Sequence, residues 1–216
     1  MFDYRNTNIH EYDEELLNDY KNIGIKEKSQ LIIFHLLGQH FQYSLRCKSN
    51  MKRFGTNDYP RTDLTKKQTI ADYDNATLYN DYVLSKIIEL FKDKEAIVID
   101  LSDHGEDCYG KDAQIAGRLT EAEQIDIKKY HEEFEIPFWI WCSTTYRRKH
   151  HKIFIETLQA RNNKFMTDDL PHLLFYLAGI KTKDYKAERN LISPYFNNAR
   201  HRLVLRNIDY DQTLHR

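Results

Sequence analysis

Between Thr65 and Asp93 the chain runs without a glycine or proline, and Ile70, Tyr73, Thr77, Asn80, Leu84, Ile87 and Phe91 recur at spacings of three and four. That period is helical. The apolar run EAIVIDLS (95–102) follows at once, and LIIFHLL (31–37), stopped by Gly38, lies upstream. Both have the length and composition of strands buried on two faces. A strand, a crossover helix and a strand form a βαβ unit, for which parallel pairing is expected. IPFWIWC (136–142) reads as a third strand, RRKHHKIFIETLQA and TDDLPHLLFYLAGI as helices, and HRLVLRNI (201–208) as a late strand. Upstream, EYDEELLNDYKNI (11–23) reads as a short helix stopped by Gly24. The alternation implies an α/β fold with a mostly parallel sheet.

With 216 residues, one sizeable α/β domain is the simplest expectation. Lys+Arg 32 against Asp+Glu 33 leaves almost no net charge, so nothing global argues for a nucleic-acid surface, and any anionic ligand must be held locally. The longest apolar runs fall far short of the ~20 residues that cross a bilayer, and no basic-then-apolar leader opens the chain. A soluble chain is therefore expected. Cys47, Cys108 and Cys142 are widely spaced, without a C-x-x-C. Three buried reduced thiols are favoured over one disulfide plus a free thiol.

Ligands of open parallel α/β sheets bind beyond the carboxyl ends of the strands. At one such end the apolar strand stops at Ser102 and gives way to Asp103, His104, Gly105 and Glu106; at another stands His40. An adjacent carboxylate and imidazole suit Zn²⁺ and, less well, Mn²⁺. Gly105 lets the backbone turn tightly beside the ion. Taken alone, such a dipeptide is more often a turn cap beside a surface histidine.

The string SDHGE (102–106), preceded by YDNATLYNDYVLSKIIELF and by FHLLGQH, resembles the phosphoethanolamine transferases of the sulfatase and alkaline phosphatase superfamily. IPFWIWCS and MTDDLPHLLFYLAGI extend the resemblance over most of residues 30 to 180. It implies a three-layer α/β/α sandwich of alkaline phosphatase type, with Asp103 and His104 as ligands of a zinc ion (manganese the alternative) and His40 on the substrate phosphate. It further implies a phosphoethanolamine-bearing lipid donor and an envelope lipid or glycan acceptor, at the periplasmic face of the inner membrane.

Around that centre, Glu106 could orient His104 through its second ring nitrogen. His35 reads as a packed core residue, and Tyr73, Asp74 and Asn75 as polar residues bracing the long helix, with Asn75 facing the site or tying down a loop as the other options. YRRKHHK (146–152) could attract a phosphate or lipid head group, but such a run is more often the solvated first turn of a helix.

The family pattern also departs here. Its nucleophilic threonine follows an early strand, and Thr7 has no apolar strand before it. The loop after SDHGE lacks a further histidine, and Arg118 is the candidate anion-binding substitute. The chain therefore reads as one domain, 1–216: the carboxyl-terminal part of a catalytic domain without its amino-terminal strands and membrane helices, and with half of a metal site. Two alternatives stay open: a sulfatase or phosphodiesterase on the same scaffold, and a non-catalytic anion-binding remnant that covers its exposed sheet edge as a homo-oligomer.

Overall fold

The computed structural model describes residues 5–23, 29–60, 63–110, 114–119 and 125–214. The chain divides into two compact units: Met1–Leu90 with Cys108–Gly117, and Phe91–Asp107 with Arg118–Arg216. No helix among the described residues is long and apolar enough to cross a membrane.

In the first unit, helix α1 (Glu15–Ile23) occupies most of the expected segment, with Glu15 in its first turn and Lys21 in its last, the arrangement the helix dipole favours. Gly24, the expected stop, lies outside the described residues. Helix α2 (Leu64–Phe91) matches the uninterrupted run closely. Its buried stripe, however, is Ala71, Asn75, Ala76, Tyr79, Val83 and Ile87, and Thr77 is exposed. The apolar positions are spread around the helix, so small alanines and one asparagine fix its inner face. Tyr43 and Cys47 are buried in the same unit, and the Tyr43 ring meets Tyr73 edge-on, centroids 5.0 Å apart.

Asn75 is a structural clamp. Its Oδ1 accepts the Arg53 and Phe54 N–H groups at 2.7 and 3.0 Å, and its Nδ2 donates to the Phe54 carbonyl at 2.9 Å. Of its three expected uses, the loop tie is the one observed. Beside it, the Tyr59 hydroxyl donates to Asp74 at 2.5 Å.

The segment 31–37 corrects an expectation, because no strand is assigned to it. Leu31, Ile33, His35 and Leu37 are exposed while Ile32, Phe34 and Leu36 are partly buried. Packing on one side alone follows the period of two of extended backbone. Phe34 meets Tyr20 edge-on, at 5.7 Å. His35 falls on the outer side, so it is no core residue. The run ends where Asp13 accepts the N–H groups of Leu37 and Gly38, at 3.0 and 2.8 Å.

In the second unit, strand β1 (Ile97–Leu101) pairs with strand β2 (Phe138–Cys142). The pairing is antiparallel, with Ile97 opposite Cys142 and Leu101 opposite Phe138. The α/β class stands, but the parallel partner expected for β1 from 31–37 is not found among the described residues. Ile99, Phe138 and Ile140 pack on a core of Ala160, Leu173, Leu191 and Ile192.

Helices α3 (Thr144–Lys149) and α4 (His151–Gln159) replace the single helix expected over 147–160. Ser143, fully buried, starts α3 by accepting the Tyr146 N–H at 3.0 Å, and its hydroxyl donates to the Lys94 carbonyl at 2.6 Å. Helix α5 (Leu170–Leu177) has Pro171 in its first turn, where no amide donor is needed. It stops at Gly179, φ +66°, where the Ile180 N–H reaches the Phe175 carbonyl at 2.9 Å. The late strand is two short pieces, Leu203–Val204 and Ile208–Asp209, paired antiparallel across Leu205 and Arg206 at positive φ.

Asp168 and Asp169, just ahead of α5, form an ionic clamp with Arg189 and Arg200. Arg200 reaches Asp169 at 2.6 Å and Asp168 at 2.5 Å, Arg189 donates to Asp168 at 2.7 Å, and Arg189 Nε also donates to Asp169. Asp169 is 2% exposed. No disulfide joins the three cysteines among the described residues; Cys47 and Cys142 are buried and Cys108 partly so.

Candidate metal centre

Where β1 ends, the chain folds into a short turn fixed by its own polar groups. The Ser102 hydroxyl donates to the His104 carbonyl at 2.7 Å. His104 Nδ1 lies 2.9 Å from the Gly105 carbonyl oxygen, which can only accept, so Nδ1 carries the proton in that bond. In its neutral form the ring presents the Nε2 lone pair, and Nε2 lies 3.5 Å from Asp103 Oδ1. The Asp103 side chain is 85% exposed and that of His104 27%.

In that form a nitrogen and an oxygen acceptor stand 3.5 Å apart. Bonds of ~2.0–2.2 Å at a tetrahedral angle place two zinc ligands about 3.4 Å apart, so this nitrogen and oxygen suit one ion. A histidine whose second nitrogen donates to a backbone carbonyl is the usual setting of a metal-bound imidazole. That carbonyl orients the ring. Among the described residues no group of three or more His, Cys, Asp or Glu side chains is placed to hold a metal.

Gly105 has a second function that the sequence did not reveal. Its N–H donates to the Glu133 carbonyl at 3.1 Å, and a Cβ built on it would stand 1.9 Å from the Glu132 carbonyl oxygen and 2.5 Å from that of Glu135. The Asp103–His104 turn is seated on the backbone of 132–135, a contact with no room for a side chain.

Next to this seat lies Asp107, 1% exposed, a residue that no motif in the sequence marks. Burial, with the charges of Glu132 and Glu133 adding to it, pushes its carboxyl up to about 6 from 3.8. Glu133 is also raised by burial, opposed by the Leu119 N–H that reaches its two oxygens at 3.2 and 3.3 Å and by the charge of Arg118. Only burial distinguishes these carboxylates from others in the chain, and composition does not encode burial.

Folded Asp107 keeps its proton until about pH 6, whereas an unfolded aspartate releases it near 3.8. The folded state therefore binds more protons in that window, and the contribution of this group to stability falls as pH rises through it. At ~1.4 kcal/mol per pKa unit the loss is on the order of 2–3 kcal/mol. Asp107→Asn should remove that decline: urea midpoints of variant and wild type should separate in favour of the variant between pH 4 and 7. Parallel pH profiles would refute this account.

Of the residues singled out from sequence, Asp103 and His104 are brought together. Arg118 is exposed in the same unit, its charge near Glu133. His40 belongs to the first unit, exposed at a turn in which its N–H bonds the Leu37 carbonyl at 2.9 Å and Gly38 has φ +51°. Its Nδ1 lies 3.3 Å from the Phe41 carbonyl oxygen.

Comparison with known proteins places the chain in a class. The sulfatase family model matches residues 2–180, and the chain belongs to the sulfatase family. It is 30% identical over 205 residues to phosphoethanolamine transferase EptC of Escherichia coli K12, covering 92% of this chain and 34% of that protein. It is 32% identical over 117 residues to the Kdo(2)-lipid A phosphoethanolamine 7''-transferase of the same strain, covering 54% of this chain and 20% of the relative. The crystal structure of the C-terminal periplasmic domain of E. coli EptC in complex with zinc superposes with a TM-score of 0.77 at 27% identity, covering 97% of this chain and 59% of that one. The chain thus spans about a third of the length of its first curated relatives, and the α/β fold expected from the family resemblance is the fold observed.

Proposed function

We propose that this chain is the metal-holding part of a zinc-dependent phosphoethanolamine transferase that modifies lipid A or the lipopolysaccharide core at the periplasmic face of the inner membrane. The observation that carries the reading is the Asp103–His104 pair, 3.5 Å apart, with the imidazole proton committed to the Gly105 carbonyl. Its setting in a sulfatase-family chain related to EptC supports the choice of reaction.

In this reading Asp103 supplies a hard, anionic oxygen and His104 a neutral nitrogen to the zinc ion. Once bound, zinc supplies positive charge where a phosphoryl oxygen becomes more negative. Gly105 serves the chemistry twice, by fixing the His104 tautomer and by anchoring the turn. His40 and Arg118 hold phosphate oxygens of the donor, the histidine through ring N–H groups and the arginine through its planar fork of donors.

Metal titration tests the site without depending on turnover. The purified chain should bind Zn²⁺ at least about tenfold more tightly than Asp103→Ala or His104→Ala, the scale on which a lost contact weakens a metal site. Mn²⁺ should bind more weakly than Zn²⁺. Equal zinc affinity in wild type and both variants would remove the pair from any metal role.

A further inference from the structure

The basic run 146–152 divides into two sets of residues with different surroundings. Lys149 Nζ bonds Glu95 Oε2 at 2.5 Å, and His150 Nε2 lies 2.7 Å from Glu95 Oε1, its ring stacked on buried Tyr146 with centroids 4.3 Å apart. Arg147 donates to the Thr144 hydroxyl at 3.2 Å and lies over the Phe154 ring. These three hold the junction of α3 and α4 together.

Arg148, His151 and Lys152 are exposed. The Lys152 side chain is 84% exposed, and its ion pair to Glu156 is long at 3.7 Å. Arg148 lies near the end of α3, whereas His151 and Lys152 open α4, and along α4 the residues at helical spacing from these two are Ile155, 36% exposed, and Leu158, 50% exposed. The opposite side of the helix packs inward, Ile153 against the Leu173 core. One outer face therefore carries cations at its start and two aliphatic side chains in the next turns.

Cations alone would suit any anion, and apolar side chains alone would be unremarkable on a surface. Their order along one helix face suits an interface that is anionic outside and apolar beneath: long basic side chains reach headgroup phosphates while shorter aliphatic ones enter the acyl boundary.

We propose that the outer face of α4, with His151 and Lys152 beside Ile155 and Leu158, together with Arg148 from the end of α3, docks the chain on an anionic phospholipid bilayer. The proposal is independent of the metal pair, because none of these residues takes part in the strand-end turn.

Vesicle flotation tests it with the purified chain. Vesicles of phosphatidylglycerol and phosphatidylcholine at low salt should carry the chain upward, and phosphatidylcholine vesicles should not. R148E/K152E should weaken binding at least about tenfold, as loss of membrane-facing basic residues does. I155S/L158S should weaken it severalfold, and circular dichroism should report an unchanged fold for both, since all four side chains are exposed. Three outcomes would overturn the proposal: no flotation with anionic vesicles, equal flotation of wild type and R148E/K152E, or a loss in R148E/K152E with none in I155S/L158S. The last would identify a general polyanion site.

Discussion

Gly105→Ala is expected to destabilise the chain by about 3 kcal/mol or more, at the upper end of what overpacking costs. The new methyl would meet two backbone carbonyl oxygens, of Glu132 and Glu135, at 1.9 and 2.5 Å. Backbone cannot swing aside as a flexible side chain does, so the 132–135 turn must move. That movement also breaks the bond from the Gly105 N–H to the Glu133 carbonyl. For a chain of this size the unfolding midpoint should drop by roughly 6–12 °C. Gly55→Ala provides the control, because its added Cβ would meet only Asp58 Oδ2, at 4.0 Å. If both variants unfold within about 0.5 kcal/mol of wild type, the ordinary range for surface changes, the close approach at Gly105 is not as described.

Asp169→Ala should cost about 3–5 kcal/mol, the range for removing one partner of a buried ionic group. The carboxylate is 2% exposed and faces both Arg189 and Arg200, which would be left with only the outer Asp168. Asp168→Ala should cost less, about 1 kcal/mol, since its side chain is half exposed and solvent already screens it. Chemical denaturation of both variants measures the difference, and an equal or reversed order would refute the clamp as drawn. The sign with pH is also fixed. The Arg200 guanidinium holds the Asp168 carboxyl below 3.8. Its contribution is therefore complete above that value and is lost as pH falls through the lowered folded value.

Local features of this chain were legible in its sequence, and long-range ones were not. The long helix was readable because nothing interrupts 65–93, and the Asp103–His104 pair because a strand end and its turn are neighbours in sequence. The inner face of α2 was not, since Ala71, Ala76 and Asn75 owe their burial to what packs against them. The apolar run 31–37 suggested burial on two faces, yet only alternate residues pack. The partner of β1 is likewise distant in sequence, and a run of Ile and Val fits either direction of pairing. In sequence Gly105 reads as a residue free to turn, whereas its structural role is the space it leaves for a backbone segment far along the chain. The Asp168–Asp169 clamp depends on arginines that become neighbours only through folding.

Antiparallel pairing of β1 with β2 sets Leu101 opposite Phe138, so the chain leaves and rejoins the same edge of the ladder. The whole connection 102–137 is a tethered excursion pinned at both feet. The two feet lean on one another, Gly105 bonding the Glu133 carbonyl with no room for a side chain between them. Whatever alters residues 132–135 is therefore felt at the end of the strand, although some thirty residues of chain separate the two.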